Sequence, residues 1–429
     1  MWIRLKMNKG QCSNMQNDEL ACLCGGNWNN TSDAGVFAVN LNNSRTNSNN
    51  NVGGRDSISK LETAIVDTRN KGIYCPGKTE IKNDESLLSN ICENQTKSKN
   101  SKRVGNLYAA AFTVENLHKA YLNARKLKRN KSAVLKFEIN LGSELNQLHD
   151  ELASRVYRPR HYSQFYVYEP KKRLINAPSF RDLVVQHAIY QVIYSIYDKT
   201  FIDTSYACRK GGGTHKASAY TQKEMRKYDG ELYFVKLDIK KFFYSIDRDI
   251  LRTLFEKKIK DKEFLDLMCV FMEMNTDKGI PIGNLLSQIY ALIYLNPLDH
   301  YIKRVLKIKS YVRYVDDFVL IGLTIDEAID AQAMCERYVQ DNLNLELSHW
   351  HIQKIKKGIN FVGYRTWKSV KFVRKHSIYK MKKAIKKNKI KSIISLLGHA
   401  KGTGTTKYYK MLLQKHGVYD DLPPKCRIN

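Results

Sequence analysis

Residues 311–322 read YVRYVDDFVLIG, in which two adjacent aspartates, Asp316 and Asp317, interrupt a segment rich in β-branched and aromatic residues. This composition predicts two short strands joined by a tight turn that holds the acids. Two carboxylates about 4 Å apart repel by roughly 4 kcal/mol at an effective dielectric constant near 20. An isolated pair of this kind is more often a solvated turn, so a functional interpretation requires a second feature.

A third acid supplies that feature. The segment VKLDIKK, residues 235–241, reads as a buried strand that ends near Asp238. Magnesium prefers hard oxygen ligands, usually one or two carboxylates completed by substrate phosphates and water. Two-metal phosphoryl transfer uses carboxylates from different strands to hold ions about 3.5–4 Å apart. The three aspartates therefore predict a site for two Mg²⁺ ions, with Mn²⁺ as a substitute.

The charge of the chain indicates a polyanionic partner. Lys and Arg number 72 against 42 Asp and Glu, which gives a formal net charge of +30. An excess of this size attracts nucleic acid. The longest apolar stretch, residues 280–298, is interrupted by Pro, Gly, Asn and Ser, and no signal peptide opens the chain, so we expect a cytoplasmic protein that does not enter a membrane.

The nine cysteines form no CxxC pair and fit neither a zinc cluster nor a disulfide framework. We expect them to be reduced and structural.

The composition of the sequence changes after about residue 103. Residues 27–51 are rich in Asn, and the polar composition continues, so we predict a disordered extension over residues 1–103. From Val104 onward, helical and strand patterns are mixed, which predicts an α+β fold. A basic β-hairpin with Lys171 and Lys172 at its turn precedes a long buried helix. The C-terminal segment alternates basic clusters with apolar residues at helical spacing, which predicts two or three helices with a positive face.

Several of these segments resemble the motifs of reverse transcriptases in their order and spacing. The matching segments are EPKKRLINAPSFRDLVVQHAI (169–189), VKLDIKKFFYSID (235–247), GIPIGNLLSQIYALIYLNPLD (279–299), YVDD (314–317) and GINFVGYRTW (358–367). The resemblance extends from about Val104 to His416. It implies a right-hand polymerase, with fingers and N-terminal helices at 104–230, a palm with an antiparallel sheet and part of the fingers at 231–366, and a basic helical thumb at 367–429.

The resemblance implies an RNA-directed DNA polymerase that extends a DNA primer on template RNA with dNTPs and Mg²⁺. It assigns Asp238 to the first metal-binding motif, and Asp316 and Asp317 to the acidic pair of the catalytic turn. These three aspartates are therefore the implied catalytic residues and metal ligands. The lysine that many reverse transcriptases carry after this turn has no clear counterpart here, because His349, His351 and Lys354 align equally poorly.

Other positions match residues that contact the nucleotide or the nucleic acid in this family. The implied nucleotide-binding residues are Lys172, Arg173, Phe243, Ile282 and Gly283. A guanidinium fork such as that of Arg173 suits triphosphate geometry, and the ring of Phe243 would exclude a ribose 2′-hydroxyl. We also expect Lys171, Arg181, Lys210 and Lys216 to bind nucleic acid, the last two beside a glycine-rich loop at 208–217 whose amides would cradle a phosphate. The alternatives are a core aromatic residue at 243, a helix-start glycine at 283 and solvated lysines.

Two departures from the common motif indicate a subtype. Most of the family has Gln before Gly283 and a Ser-Pro pair after it, whereas this chain has Ile282 and the pair Ser287–Gln288. These departures resemble reverse transcriptases of diversity-generating retroelements, whose copying is error-prone at template adenines. Loss of a polar side chain near the templating pair offers a physical route to weaker discrimination.

The N-terminal tract supports this subtype. Residues 1–57 resemble a translated template repeat of such an element, in which Asn codons, beginning with two adenines, are mutable sites. The resemblance implies mutagenic retrohoming into a variable target gene with a structured RNA and a small basic accessory protein. Three alternatives remain open: a group II intron-like reverse transcriptase, a retron-like one, and a catalytically silent polymerase-like protein that binds RNA through counterion release alone.

Overall fold

The computed structural model of the protein describes residues 103–168 and 171–427. The predicted disordered extension and the predicted template repeat lie outside these residues, apart from Arg103. Helices and strands are mixed throughout the described chain, which confirms the α+β prediction. No helix in this part of the chain combines the length and the apolar character needed to cross a membrane.

Four helices and a hairpin open the described part of the chain. The helices α1 to α4 are Leu107–Ala111, Val114–Ala124, Ser132–Ile139 and Leu141–Ala153. Strands β1 (Ser163–Val167) and β2 (Arg173–Ala177) pair antiparallel, as the sequence predicts. Helix α5 (Phe180–Tyr197) follows. Most of its first eleven residues are buried because they pack among other helices. The Oγ of Ser179 accepts a hydrogen bond from the Asp182 amide and caps this helix.

A four-stranded antiparallel sheet lies at the centre, with strand order β4-β5-β3-β6. The strands are β3 (Tyr233–Ile239), β4 (Ser310–Tyr314), β5 (Asp317–Leu323) and β6 (Leu347–Lys354). Helix α6 (Thr214–Arg226) precedes these strands. The helices between them are α7 (Phe242–Ser245), α8 (Arg248–Glu256), α9 (Lys262–Val270), α10 (Leu285–His300) and α11 (Ile325–Leu343). The predicted pair of short strands is therefore confirmed as β4 and β5, although only Asp316 lies in the turn between them and Asp317 begins β5.

Both faces of this sheet are covered by apolar side chains. On one face, Leu237 and Phe318 belong to a core that also contains residues of α5, α8, α10 and α11. On the other face, Phe234 and Val319 belong to a second core with residues of the C-terminal segment. Because successive residues of a strand point to opposite faces, the alternation of β3 divides its side chains between the two cores. The sheet is thus an inner layer of the protein.

The C-terminal segment contains a small sheet and three helices. Strands β7 (Ile359–Phe361), β8 (Tyr364–Thr366) and β9 (Lys371–Val373) pair antiparallel. Helices α12 to α14 are Lys375–Lys386, Ile390–Ala400 and Thr405–Lys415. The sequence predicts that the palm ends at residue 366 and the thumb begins at residue 367. The small sheet crosses this boundary, because β9 continues the sheet begun by β7 and β8.

The β1–β2 hairpin is attached to the loop that precedes α10. The amide of Asn176 donates a hydrogen bond of 2.7 Å to the Ile282 carbonyl. The side chains of Val167, Ile175 and Ile282 form a small buried core. Gly283 follows with a φ of +106°, and a Cβ at this position would lie 2.7 Å from Ile175 Cγ2 and 3.0 Å from the Asn176 carbonyl oxygen. A glycine is needed here because the hairpin approaches the loop so closely.

Replacement of Gly283 by Ala should destabilise the protein. Both the left-handed backbone and the clash oppose a Cβ, and each such penalty is on the order of 1–3 kcal/mol. The free energy of unfolding can be measured by urea denaturation. The matched control is Gly142→Ala within α4, where nothing lies within 4 Å of the added Cβ and where Ala should be neutral or stabilising. Equal stability of Gly283→Ala and the wild type would contradict the proposed close approach.

Candidate active site

The three predicted aspartates meet at one end of the central sheet. Asp238 is directly opposite Asp317 in the antiparallel pairing of β3 with β5. Side chains in such positions share a face, with Cβ atoms roughly 4.5–5.5 Å apart. Asp316 lies in the turn between β4 and β5, and its carbonyl accepts a hydrogen bond of 3.3 Å from the Ile239 amide, one residue after Asp238. The structure therefore brings together residues that are far apart in sequence.

The aspartates influence one another electrostatically. Burial and then the neighbouring Asp238 raise the pKa of Asp316 to about 7. Burial also raises the pKa of Asp317 to about 6, and Asp238 adds to this rise whereas Lys236 and Arg374 oppose it. A protonated or compensated state is favoured because low-dielectric surroundings and like charges both penalise carboxylates. The site is thus a concentrated negative charge that a cation would stabilise.

The donor atoms fit a hard divalent cation. Both carboxylate oxygens of Asp317 are buried without a hydrogen-bond partner, although Lys236 Nζ lies 3.0 Å from one of them. Asp238 Oδ2 accepts a hydrogen bond of 2.6 Å from Ser348 Oγ, which orients this carboxylate. Within the described residues, no three His, Cys, Asp or Glu side chains form a ready-made metal cage. Mg²⁺ suits such an incomplete site because it commonly takes substrate phosphates and water as its remaining ligands.

The predicted nucleotide-binding residues lie on the elements around this site. Arg173 is the first residue of β2, and its positive charge lowers the pKa of Asp316, opposing the effects of burial and Asp238. Lys172 is exposed, with its Nζ 4.4 Å from the centre of the Tyr166 ring. Phe243 is half-buried in α7, and its ring packs against the small core of the hairpin. This placement is compatible with either role expected of Phe243, a core aromatic or a ring beneath a sugar.

The residues of the subtype motif are buried. Ile282 is only 5% exposed and faces the hairpin. The hairpin excludes a side chain at Gly283, through Ile175 Cγ2 and the Asn176 carbonyl oxygen. The expected contact of Gly283 with the nucleotide stays a prediction. Ser287 Oγ donates a hydrogen bond of 2.6 Å to the Pro281 carbonyl, and Gln288 is buried with its Oε1 unpaired.

The prediction that Arg181 binds nucleic acid is wrong. Arg181 is 6% exposed, and its Nη2 lies 2.7 Å from a carboxylate oxygen of Glu151 on α4, with Glu144 at 4.0 Å. Its guanidinium also lies over the ring of Tyr157. This side chain ties α5 to α4 and is not available to a phosphate.

Three amides of the glycine-rich loop are not available for the predicted phosphate cradle. The amides of Gly212 and Gly213 donate to carbonyls of the same segment, and the Lys210 amide donates to the Tyr194 hydroxyl. These N–H groups are therefore already satisfied. The Nζ of Lys210 lies 5.1 Å from the centre of the Tyr194 ring, whereas Lys216 is exposed on α6. Lys171 is half-buried at the hairpin turn.

Sequence reasoning missed three neighbours of the aspartates. Lys236 precedes Asp238 by two residues, so strand alternation places both side chains on one face of the sheet. This spacing could have identified Lys236 as a neighbour of the aspartates. Ser348 on β6 and Arg374 at the start of α12 come from distant segments that no local pattern connects to the site.

Of the three general-acid alternatives in β6, the geometry favours none. Lys354 pairs with Glu231 at 2.6 Å, and burial lowers the pKa of His351 to about 4. His349 is the ladder neighbour of Asp238.

The raised pKa of Asp316 predicts a pH-dependent penalty without divalent cations. Below about pH 4 this group is protonated in both folded and unfolded chains, and the penalty develops as the pH rises from there towards the folded value of about 7. Asp316→Asn should therefore be more stable than the wild type at pH 8, by about 1–3 kcal/mol, and similar to it near pH 4. Urea denaturation with a chelator measures this difference.

Added Mg²⁺ provides the control for this experiment. The cation should stabilise the wild type at pH 8 and should stabilise Asp316→Asn much less, because one ligand is lost. A stability difference that is constant across pH would contradict the buried, interacting carboxylate.

Comparison with known proteins finds similarity to reverse transcriptases in this region. Residues 168–366 match the family model described as reverse transcriptase (RNA-dependent DNA polymerase). The group II intron-encoded protein LtrA of Lactococcus lactis subsp. cremoris is 30% identical over 171 residues, which are 37% of this chain and 28% of LtrA. Protein YkfC of Escherichia coli K12 is 24% identical over 290 residues, covering 56% of this chain and 74% of YkfC.

Two further similarities are more limited. The 91 kDa protein in the cob intron of Schizosaccharomyces pombe is 34% identical over 143 residues, 31% of this chain and 17% of that protein. A telomerase structure from Candida albicans aligns with a TM-score of 0.40 and 10% identity over 63% of this chain and 60% of that one, which is too distant to carry an argument. The chain thus spans less than a third of LtrA, and its region from 168 to 366 is similar to reverse transcriptases, among them a group II intron-encoded protein.

Proposed function

We propose that the protein is an RNA-directed DNA polymerase that extends a DNA primer on template RNA with dNTPs. The observation that carries this proposal is the convergence of Asp238, Asp316 and Asp317 at the end of the central sheet, within the reverse transcriptase domain. We extend the proposal to a right-hand arrangement with fingers at 104–230, a palm at 231–366 and a thumb at 367–429, the small β7–β9 sheet joining the last two.

The aspartates would hold Mg²⁺ through their carboxylate oxygens. When bound, the ions would stabilise the charge that develops on the attacking and leaving oxygens during phosphoryl transfer. The primer 3′-hydroxyl attacks the α-phosphate of the dNTP, a new phosphodiester bond forms and pyrophosphate leaves. Arg173 would neutralise the triphosphate, and Phe243 would lie beneath its sugar. Burial of Asp317 and the hydrogen bond from Ser348 to Asp238 fix the donors before substrate arrives.

The basic C-terminal helices suit the backbone of a nucleic-acid duplex. On α12 the residues Met381, Ala384 and Ile385 are buried, whereas lysines lie on the exposed side. The exposed lysines of this helix are Lys375, Lys382, Lys383 and Lys386. Lysines that neutralise phosphates release counterions, so binding of template and primer should weaken as salt increases. Lys171, Lys210 and Lys216 remain candidates for further contacts.

For the subtype, we favour a diversity-generating retroelement enzyme that copies a template repeat with errors at adenines. The support is the motif Ile282, Ser287 and Gln288, together with the resemblance of residues 1–57 to a template repeat. Mutagenic retrohoming into a variable gene, aided by a small basic accessory protein, would follow. The buried position of Ile282 suggests that it acts by setting how the hairpin sits on the loop before α10, because its side chain belongs to their shared core.

The second candidate is a group II intron-like reverse transcriptase. The identity to LtrA favours it directly. Primer extension on RNA supports either candidate, whereas a high error rate confined to template adenines would favour the first. A silent RNA-binding protein is less well supported, since it has no use for three interacting buried or half-buried carboxylates.

Asp316→Asn should abolish DNA synthesis while leaving RNA binding intact. Loss of several kcal/mol of transition-state stabilisation corresponds to about a thousandfold slower extension. The measurement is primer extension on an RNA template with Mg²⁺, beside RNA binding by filter retention. Asp330→Asn, an exposed carboxylate on α11, is the matched control and should retain full activity. Unchanged synthesis by Asp316→Asn would refute the assignment.

Ile282→Gln should reduce misincorporation opposite template adenine, because it restores the residue that most of the family has before Gly283 and changes how the hairpin packs on this loop. Sequencing of cDNA made on adenine-containing RNA gives the error spectrum. Ile282→Met is the matched control, since it keeps an apolar side chain of similar size and should keep the wild-type error rate. An unaltered spectrum for Ile282→Gln would remove this residue from the account of fidelity.

A further inference from the structure

A buried ion pair lies directly behind the catalytic turn. Arg313 on β4 and Asp299 at the end of α10 are both 0% exposed. Arg313 Nε donates to Asp299 Oδ1 at 2.7 Å, and Nη2 donates to Oδ2 at 2.5 Å. The hydroxyl of Tyr311 donates to Oδ1 as well, at 2.7 Å. The carboxylate and two of the three nitrogens of the guanidinium are thus satisfied within the protein.

The third nitrogen of this guanidinium reaches the turn itself. Arg313 Nη1 donates a hydrogen bond of 2.8 Å to the carbonyl of Val315. Val315 has a φ of +57°, a left-handed conformation that is a genuine outlier for a β-branched residue. The peptide between Val315 and Asp316 therefore needs an external restraint to remain in this orientation.

The surrounding backbone makes Arg313 a fixed anchor. Its amide donates to the Thr204 carbonyl at 3.0 Å, and its carbonyl accepts from the Tyr206 amide at 3.1 Å. On the far side of the turn, the Asp316 carbonyl is bonded to Ile239 on β3. The turn is consequently restrained at two carbonyls. Arg313 of the ion pair binds the Val315 carbonyl, and β3, the strand that carries Asp238, binds the Asp316 carbonyl.

Stability alone does not account for a buried ion pair, because well-packed apolar residues in its place are often neutral or stabilising. We propose that Asp299 and Arg313 are positioning residues. Together they hold Val315 in its left-handed conformation, and this orients the Asp316 carboxylate towards the site that it shares with Asp238. The consequence for synthesis rests on the proposed polymerase function. The restraint on the turn does not, and it can be measured separately.

The test replaces the whole buried group by apolar residues, in the triple variant Asp299→Leu, Tyr311→Phe and Arg313→Met. This variant leaves no unpaired buried charge or hydroxyl, so it should fold and bind primer–template RNA within about twofold of the wild type. Hydrogen exchange of the peptide containing residues 311–320 should accelerate about tenfold or more. In primer extension, kcat should fall about tenfold or more, whereas KM for dNTP should change less than about threefold.

Two further variants complete the experiment. Leu148→Ala truncates a fully buried side chain in α4 and should lower stability without changing exchange at the turn or kcat. Arg313→Lys keeps the charge but replaces the planar fork, so it should show a partial loss of kcat and partly faster exchange. This single variant decides the matter if the triple variant does not fold.

The outcomes separate the two proposals. A folded triple variant with wild-type exchange at the turn, or with wild-type kcat, would overturn the positioning role, as would full activity and unchanged exchange in Arg313→Lys. A wild-type protein that makes no DNA on any RNA template would overturn the polymerase function instead, and the exchange measurement would still decide whether the ion pair restrains the turn.

Discussion

Mutual repulsion of carboxylates at the end of a buried sheet is the constraint on which the structure depends. Asp238 and Asp317 face each other across two strands, and Asp316 joins them from the turn. Only a rigid frame keeps like charges this close, and the apolar cores on both faces of the sheet provide it. The nearby cations Lys236 and Arg374 moderate the repulsion without removing it. The frame therefore preserves a concentrated negative charge that a cation would stabilise.

Local patterns were sufficient to predict the elements that carry this site. Alternation and composition identified the strands on either side of Asp316 and the hairpin ahead of α5. The sequence did not reveal that Arg181 is buried, since its partner Glu151 lies on a separate helix and only packing brings them together. Ser348 and the Asp299–Arg313 pair were missed for the same reason. Pairwise contacts between distant segments leave no periodic signal.

The subtype motif acquires a physical meaning from its surroundings. Ile282 does not stand alone at a surface, because it shares a small core with Val167 and Ile175 of the hairpin. The same hairpin begins its second strand with Arg173, whose charge acts on Asp316. A change at residue 282 can thus alter the surroundings of Asp316 through the position of the hairpin. Under the proposed function, fidelity would depend on how these two segments pack, in addition to which side chain touches a base.

The second core has a consequence for the modularity of the protein. The face of the sheet that carries Phe234 and Val319 is covered partly by Met381, Tyr409 and their neighbours from the last helices. Removal of these helices would expose this face of the central sheet to solvent. The C-terminal segment is therefore not an appendage that evolution or an engineer can exchange freely. Any shorter protein built from this chain would need other residues to cover that face before the end of the sheet that carries the three aspartates could keep its shape.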